Sequence, residues 1–251
     1  PPDCLILIDY MGPNIKIGIK LKRSKTKIPI FYYIAPQEWA WRVGNNATTN
    51  LINFSDKIFA IFKQEASFYK KRGGNVFWVG HPMIDLTKKL PLKKDARTIL
   101  NLRPNQSILL LMPASRPQEL KYLLPTFMLT ARKLQQKYPS LVAYIPSCRE
   151  VFDEKFKKAF RKYQVKGQVI SQKDNAKLKP YIYSLTKIAL CKSGTVNMEL
   201  ALNGIPQIVG YRVSWITAFI AKKILNFKVK FISPVNLLVN KLIIPEFVQK
   251  E

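Results

Sequence analysis

Ile8-Asp9-Tyr10 places a carboxylate directly after an apolar run. Parallel α/β proteins put acidic groups that take protons or hold ligands at such strand ends. The same Asp9 is also placed to cap the helix that follows. Pro113-Ala114-Ser115-Arg116 follows a second apolar run, Ser107–Met112, and opens a long amphipathic stretch. Free backbone N–H groups and the helix dipole favour an anion there. Ser115 adds a hydroxyl and Arg116 a planar fork that grips phosphate at two points; an ordinary N-cap beside a surface Arg is the plainer alternative. Ser193-Gly194-Thr195 repeats the arrangement after Lys187–Leu190, and Glu199 lies one helical turn further on. Its small residues let a phosphate approach the backbone. Two such turns in one half of the chain describe a site for a diphosphate.

Other candidates are less specific. His81, in Val79-Gly80-His81-Pro82, is the only histidine, and a lone His is more often a structural hydrogen-bonder or hinge than a catalyst. No second His, Cys cluster or acidic cluster accompanies it, so no metal site is expected. Gln37, Trp39, Trp41 and Arg42 form an aromatic and basic stretch that reads as core packing, an acceptor wall or a base-stacking surface. Trp215, Ile216, Phe219, Ile220 and Leu225 share a segment with Lys222, Lys223, Lys228 and Lys230. This pattern suits an anionic membrane surface, or equally a core helix with a solvated basic end. Walker, G-x-G-x-x-G and G-x-S-x-G patterns are absent from the sequence.

The elements that must hold these residues alternate between short apolar runs and helical patterns, the signature of parallel α/β sheets. Strands are expected at Cys4–Asp9, Pro29–Ile34, Lys57–Ile61 and Val76–Val79. Helices are expected at Asn14–Lys22, Asn46–Phe54 and Gln64–Arg72. A polar stretch from Asp85 to Pro104, with one short helix near Ala96–Asn101, reads as a linker. Beyond it, strands are expected at Ser107–Met112, Leu141–Ile145, Gln168–Ile170, Lys187–Leu190 and Pro206–Gly210. The helices between and after them are Gln118–Lys137, Glu150–Tyr163, Asn175–Ser184, Thr195–Leu202 and Ser214–Leu225. Two Rossmann-like domains follow, residues 1–90 and 91–251, with a cleft between them and ligands at the carboxyl ends of the strands.

Composition bounds the partners. The chain has 251 residues, 47% of them hydrophobic, with 42 Lys+Arg against 15 Asp+Glu and a formal charge of +27. Three dispersed cysteines give neither a disulfide framework nor a zinc spacing. No apolar run approaches the roughly 18 residues of a membrane span. The charge points to nucleic acid, anionic lipid or phosphorylated substrates. The chain begins without Met, directly at a strand, and stops as a segment begins, so it reads as an interior piece of a longer protein.

Taken in order, these stretches resemble one family. Tyr32-Tyr33-Ile34-Ala35-Pro36-Gln37-Glu38-Trp39-Ala40-Trp41-Arg42 is similar to its W-A-W-R region, and Val79-Gly80-His81-Pro82 to its V-G-H-P. Pro113–Arg116 with Glu119 resembles P-G-S-R-x-x-E, and Ser193–Thr195 with Glu199 resembles S-G-T-x-x-x-E. Val209-Gly210-Tyr211-Arg212, Asn236-Leu237-Leu238 and Pro245–Gln249 resemble the motifs that follow. The family is lipid-A-disaccharide synthase, and the resemblance spans nearly the whole chain.

It implies a GT-B glycosyltransferase, inverting, with no metal or cofactor. The donor would be UDP-2,3-diacylglucosamine and the acceptor 2,3-diacylglucosamine 1-phosphate (lipid X). The products would be the β-1,6-linked disaccharide 1-phosphate and UDP. Asp9 would be the general base and Arg116 the cation that stabilises the leaving UDP. Ser115, Ser193, Gly194, Thr195, Glu199, Asn236, Glu246 and Gln249 would bind the donor nucleotide or close over it. Asn14, Trp39, Trp41, Arg42 and His81 would line the acceptor side. The resemblance further implies a peripheral place on the cytoplasmic face of the inner membrane, a possible homodimer and no nucleic-acid partner.

The departures are Gly12 for the family's second Asp in I-D-x-P-D-F-N, Pro13 for its Phe, and Ala114 for the Gly of P-G-S-R. Ala114 is tolerable at negative φ and costly at positive φ. The family's N-terminal Gly-rich loop and C-terminal helical segment are not in the sequence. A degenerate homologue that no longer catalyses and a basic nucleic-acid binder are the alternatives.

Overall fold

Short apolar runs form parallel strands here because the segment after each is long enough to cross back as a helix. The computed structural model describes residues 2–24, 28–40, 46–87, 89–114, 116–212 and 230–248. The chain divides into two units, Pro1–Leu86 and Thr87–Glu251.

The first unit runs β1 (Leu5–Ile8), α1 (Met11–Arg23), β2 (Ile30–Tyr33), α2 (Asn46–Phe54), β3 (Lys57–Ala60), α3 (Lys63–Lys70), β4 (Val76–Trp78) and α4 (Pro82–Leu86). Its sheet has the order β1-β2-β3-β4, all parallel. Leu7, Ile30, Tyr32, Leu51, Phe54, Ile58 and Tyr69 form its core. At Gly18 in α1, a Cβ would come within 2.5 Å of the Phe54 ring, so glycine is what lets α1 lie against α2.

The second unit begins with α5 (Lys93–Ile99), β5 (Ser107–Met112), α6 (Pro117–Lys137), β6 (Leu141–Pro146), α7 (Asp153–Tyr163) and β7 (Gly167–Ile170). It continues with α8 (Gln172–Leu185), β8 (Thr186–Lys192), α9 (Thr195–Leu202), β9 (Gln207–Tyr211), α10 (Pro234–Val239) and β10 (Glu246–Val248). The parallel sheet has the order β10-β9-β8-β5-β6-β7. Side chains of a strand alternate between faces. Ile108 and Leu110 accordingly enter one core with Val142, Ile182 and Ala189, while Leu109 and Leu111 enter the other with Leu123, Phe127 and Phe156. Both faces of β5 are covered, which is why its sequence is apolar without alternation.

The expected linker, residues 85–104, carries the expected short helix as α5 and begins with the end of another helix. Residues 82–86 form α4, and α5 packs into the second core through Ala96 and Leu100. The division falls after Leu86 rather than after residue 90. The expected helix Glu150–Tyr163 is a short 3-10 turn, Glu150–Phe152, followed by α7. The expected basic helix Ser214–Leu225, with Trp215 and Lys222, lies outside the described residues. No described helix is long and apolar enough to cross a membrane.

Candidate functional site

The order of the second sheet sets where a ligand can sit. From β5 the chain builds outward through β6 and β7, then returns to the other side of β5 to build β8, β9 and β10. β5 and β8 are therefore the pair at which the winding reverses, with Met112 opposite Cys191. In open α/β sheets ligands bind beyond the carboxyl ends of such a pair. The two turns singled out from the sequence, 113–116 and 193–195, leave these two ends.

In the first turn, Ala114 lies outside the positive-φ residues and packs against the core beneath α6, so the exchange of Gly for Ala there carries no strain. Ser115 lies outside the described residues. Arg116 is the N-cap of α6, at φ −117° and ψ 140°. Its side chain is 79% exposed, with the guanidinium 4.0 Å from Glu119 Oε1. That oxygen also accepts from Lys192 Nζ at 2.6 Å, an ion pair that joins the two turns.

In the second turn, Gly194 adopts φ +150° and ψ −161°, a region open essentially to glycine. No heavy atom lies within 4 Å of where a Cβ would stand, so backbone conformation, not space, demands glycine. The Gly194 N–H donates to Asn197 Oδ1 at 2.8 Å. Thr195 and Val196 are the first-turn N–H groups at the N-terminus of α9. The Ser193 hydroxyl donates to the Ile232 carbonyl. Beneath the turn, fully buried Asn197 donates to Cys191 Sγ at 3.1 Å, the Lys192 carbonyl at 3.1 Å and Gln207 Oε1 at 3.2 Å. Burial pushes the Cys191 thiol up to about 12, which keeps it a protonated donor to Gln207 rather than a nucleophile.

Glu199 faces α8, where Lys179 Nζ approaches to 2.5 Å. The Tyr183 hydroxyl beside it is held far above the ordinary range by burial and then by the Glu199 charge. Asn236 and Glu246 build a clamp. Asn236 donates to the Ile244 carbonyl (2.7 Å) and Glu246 Oε1 (2.6 Å), and accepts from the Ile243 (3.0 Å) and Ile244 (2.9 Å) N–H groups. Glu246 accepts from the Ile232 and Ser233 N–H groups at 2.8 and 2.9 Å. The Asn236 amide thus has each hydrogen-bonding position filled internally. These bonds shape the 232–246 segment. Gln249 lies outside the described residues.

In the first unit, Asp9 and Tyr10 both have positive φ, 48° and 29°, at the end of β1. The Asp9 carbonyl accepts from Tyr32 Oη at 2.7 Å and from Asn14 Nδ2 at 2.9 Å, while Asn14 also donates to the Ile8 carbonyl. Asn14 and Tyr32 hold this strained backbone, leaving the exposed Asp9 side chain turned to solvent. Burial, with the Asp9 charge adding to it, pushes Tyr32 up to about 12.

His81 accepts the Met83 N–H at Nδ1 (3.1 Å) and lies 5.2 Å from the Phe62 ring. It caps α4, and burial lowers its pKa. Trp39 donates to Gln37 Oε1 at 2.6 Å. It also lines an open groove of about 590 Å³ with Lys63, Gln64, Ser67, Lys71 and Arg72. Trp41 and Arg42 lie outside the described residues.

Three features escaped the sequence reading. Lys192 precedes the S-G-T motif but belongs to no pattern used. Asn197 and Gln207 meet only through the β8–α9–β9 fold. Glu65, fully buried, accepts from the Ala35, Ile61 and Phe62 N–H groups and so fixes the backbone that carries Trp39. Burial raises its carboxyl to about 7 against those bonds.

Comparison with known proteins places this architecture. The fold is similar to the S. aureus MnaA–UDP co-structure, with TM-score 0.58 and 16% identity over 95% of this chain and 66% of that one. It is also similar to UDP-GlcNAc 2-epimerase from Neisseria meningitidis bound to UDP-GlcNAc, with TM-score 0.59 and 17% identity over 95% and 67%. At that identity the likeness establishes the fold alone, of GT-B type. The chain is 51% identical over its whole length to the lipid-A-disaccharide synthase of Prochlorococcus marinus. It is 41% identical to that of Gloeothece citriformis. In both cases it spans 64% of the relative's length. The family model for lipid-A-disaccharide synthetase matches residues 1–251, and on that match the chain belongs to this family.

Proposed function

We propose that the protein containing this chain transfers a 2,3-diacylglucosamine unit from UDP to the 6-hydroxyl of 2,3-diacylglucosamine 1-phosphate. The observation that carries the reading is the pair of turns leaving β5 and β8 where the sheet reverses, one ending in Arg116 and the other built on Gly194. Family membership supports the reaction, and the UDP-bound fold neighbours support a UDP-sugar as donor.

In this reading the first turn of α9 and the Arg116 fork receive the diphosphate. Asp9 accepts the proton of the acceptor hydroxyl as its oxygen attacks the anomeric carbon. The bond from that carbon to the diphosphate oxygen breaks with inversion, and Arg116 offsets the charge gathering on UDP. The side chains assigned to these steps require no metal. Glu199 meets the donor ribose by releasing Lys179. The excess of positive charge draws the protein to an anionic membrane face and to its phosphorylated substrates. We place it peripherally on the cytoplasmic face of the inner membrane, and we include a homodimer of the full-length protein in the proposal.

The test is disaccharide formation by the full-length protein carrying Asp9→Asn or Arg116→Ala. Each is expected to lower turnover at least about a hundredfold. Near wild-type turnover in both would remove the assigned roles.

A further inference from the structure

We propose that Lys192 is a diphosphate-binding side chain and that Glu119 holds its ammonium in place until the diphosphate arrives; this rests on the UDP-sugar reading above. Lys192 is the last residue of β8, and Asn197 Nδ2 fixes its carbonyl at 3.1 Å. Its Nζ lies 2.6 Å from Glu119 Oε1, and the same oxygen is 4.0 Å from the Arg116 guanidinium. Glu119 stands in the first turn of α6. One carboxylate oxygen therefore gathers a cation from each of the two turns that flank the reversal point.

Two further observations separate this pair from a simple brace. Glu119 Oε2 is buried and has no hydrogen-bond partner among the described residues, a cost that a pair serving only to tie two loops would not need to carry. The Lys192 and Glu119 side chains keep 20% and 17% exposure. They are shielded enough for a strong pair without being sealed from solvent. A lysine ammonium is a compact charge on a flexible stem and changes partner readily. A diphosphate offers more charge and more acceptor oxygens than one carboxylate. Its arrival draws Lys192 and Arg116 onto the phosphates and leaves Glu119 as the group that kept them together.

Calorimetric titration of the chain with UDP, and separately with uridine, tests this. Lys192→Met is expected to weaken UDP binding about tenfold or more with uridine binding unchanged. Glu119→Gln, which frees the ammonium, is expected to bind UDP at least as tightly as wild type. Lys192→Arg keeps most of the affinity and serves as the folding control. Wild-type UDP affinity in Lys192→Met overturns the inference. So does a loss in Glu119→Gln equal to that in Lys192→Met, which would make the pair a brace. Absence of UDP binding by the wild-type chain overturns the donor-site reading itself, and this inference with it.

Discussion

Replacing Glu65 with Gln should flatten the pH dependence of stability. In the fold this carboxyl is fully buried and accepts from three backbone N–H groups, yet burial still carries its pKa from 4.5 to about 7. The folded state therefore binds this proton more tightly than the unfolded chain does. The resulting stabilisation is complete below about pH 4.5 and is lost as pH rises through about 7; its size is on the order of 3 kcal/mol. Glu65→Gln removes the titration. It also turns an amide donor toward the Ile61 and Phe62 N–H groups, which lowers stability by about 1–3 kcal/mol at every pH. Denaturant midpoints of both proteins, measured from below pH 4.5 to above 7, separate the two effects. Wild-type stability should fall toward that of the variant as pH rises. His81 has the opposite sign, since its lowered pKa removes stability as pH falls, but it is common to both proteins and cancels. Curves that run parallel would refute the reasoning, because Glu65 would then carry the same proton folded and unfolded.

Gly194→Ala should lower stability by about 1–3 kcal/mol, since φ +150° is closed to a residue with a Cβ, and UDP affinity measured by calorimetry should fall with it. Asn236→Ala should lower the melting temperature, with a loss of about 1–3 kcal/mol, because it strands the Ile244 N–H and removes donors from the Ile244 carbonyl and Glu246 Oε1. Gly12→Asp should leave stability within about 0.5 kcal/mol of wild type or raise it. No atom lies within 4 Å of its Cβ position, and an acid in the first turn of α1 favours the helix dipole. Turnover of the full-length variant then reports whether the family's second Asp aids transfer.

Much of the fold was legible because β5, β6 and β8 are apolar runs long enough to read unaided, and because Arg116 and Gly194 stand directly after such runs. What stayed hidden depends on contacts distant in sequence. Helix α10 and strand β10 are too short to announce themselves, and they are held by the Asn236–Glu246 clamp rather than by periodicity. Motif position alone marked Asn236 and Glu246 as residues that contact the nucleotide or close over it, and only their hydrogen bonds reveal the clamp. Helix α5 was expected as a short helix near Ala96–Asn101 inside a polar, Lys- and Pro-containing linker, and its place in the core, through Ala96 and Leu100, was not legible. Lys192 became visible only when the strand order brought β8 beside β5.

The central claim is that the turns leaving β5 and β8 form the UDP site. Amide hydrogen exchange of the chain with and without UDP tests it most directly. Protection should concentrate in residues 113–120 and 192–199 and spare β1 to β4. Protection confined to the first unit, or no change anywhere at saturating UDP, would contradict the account.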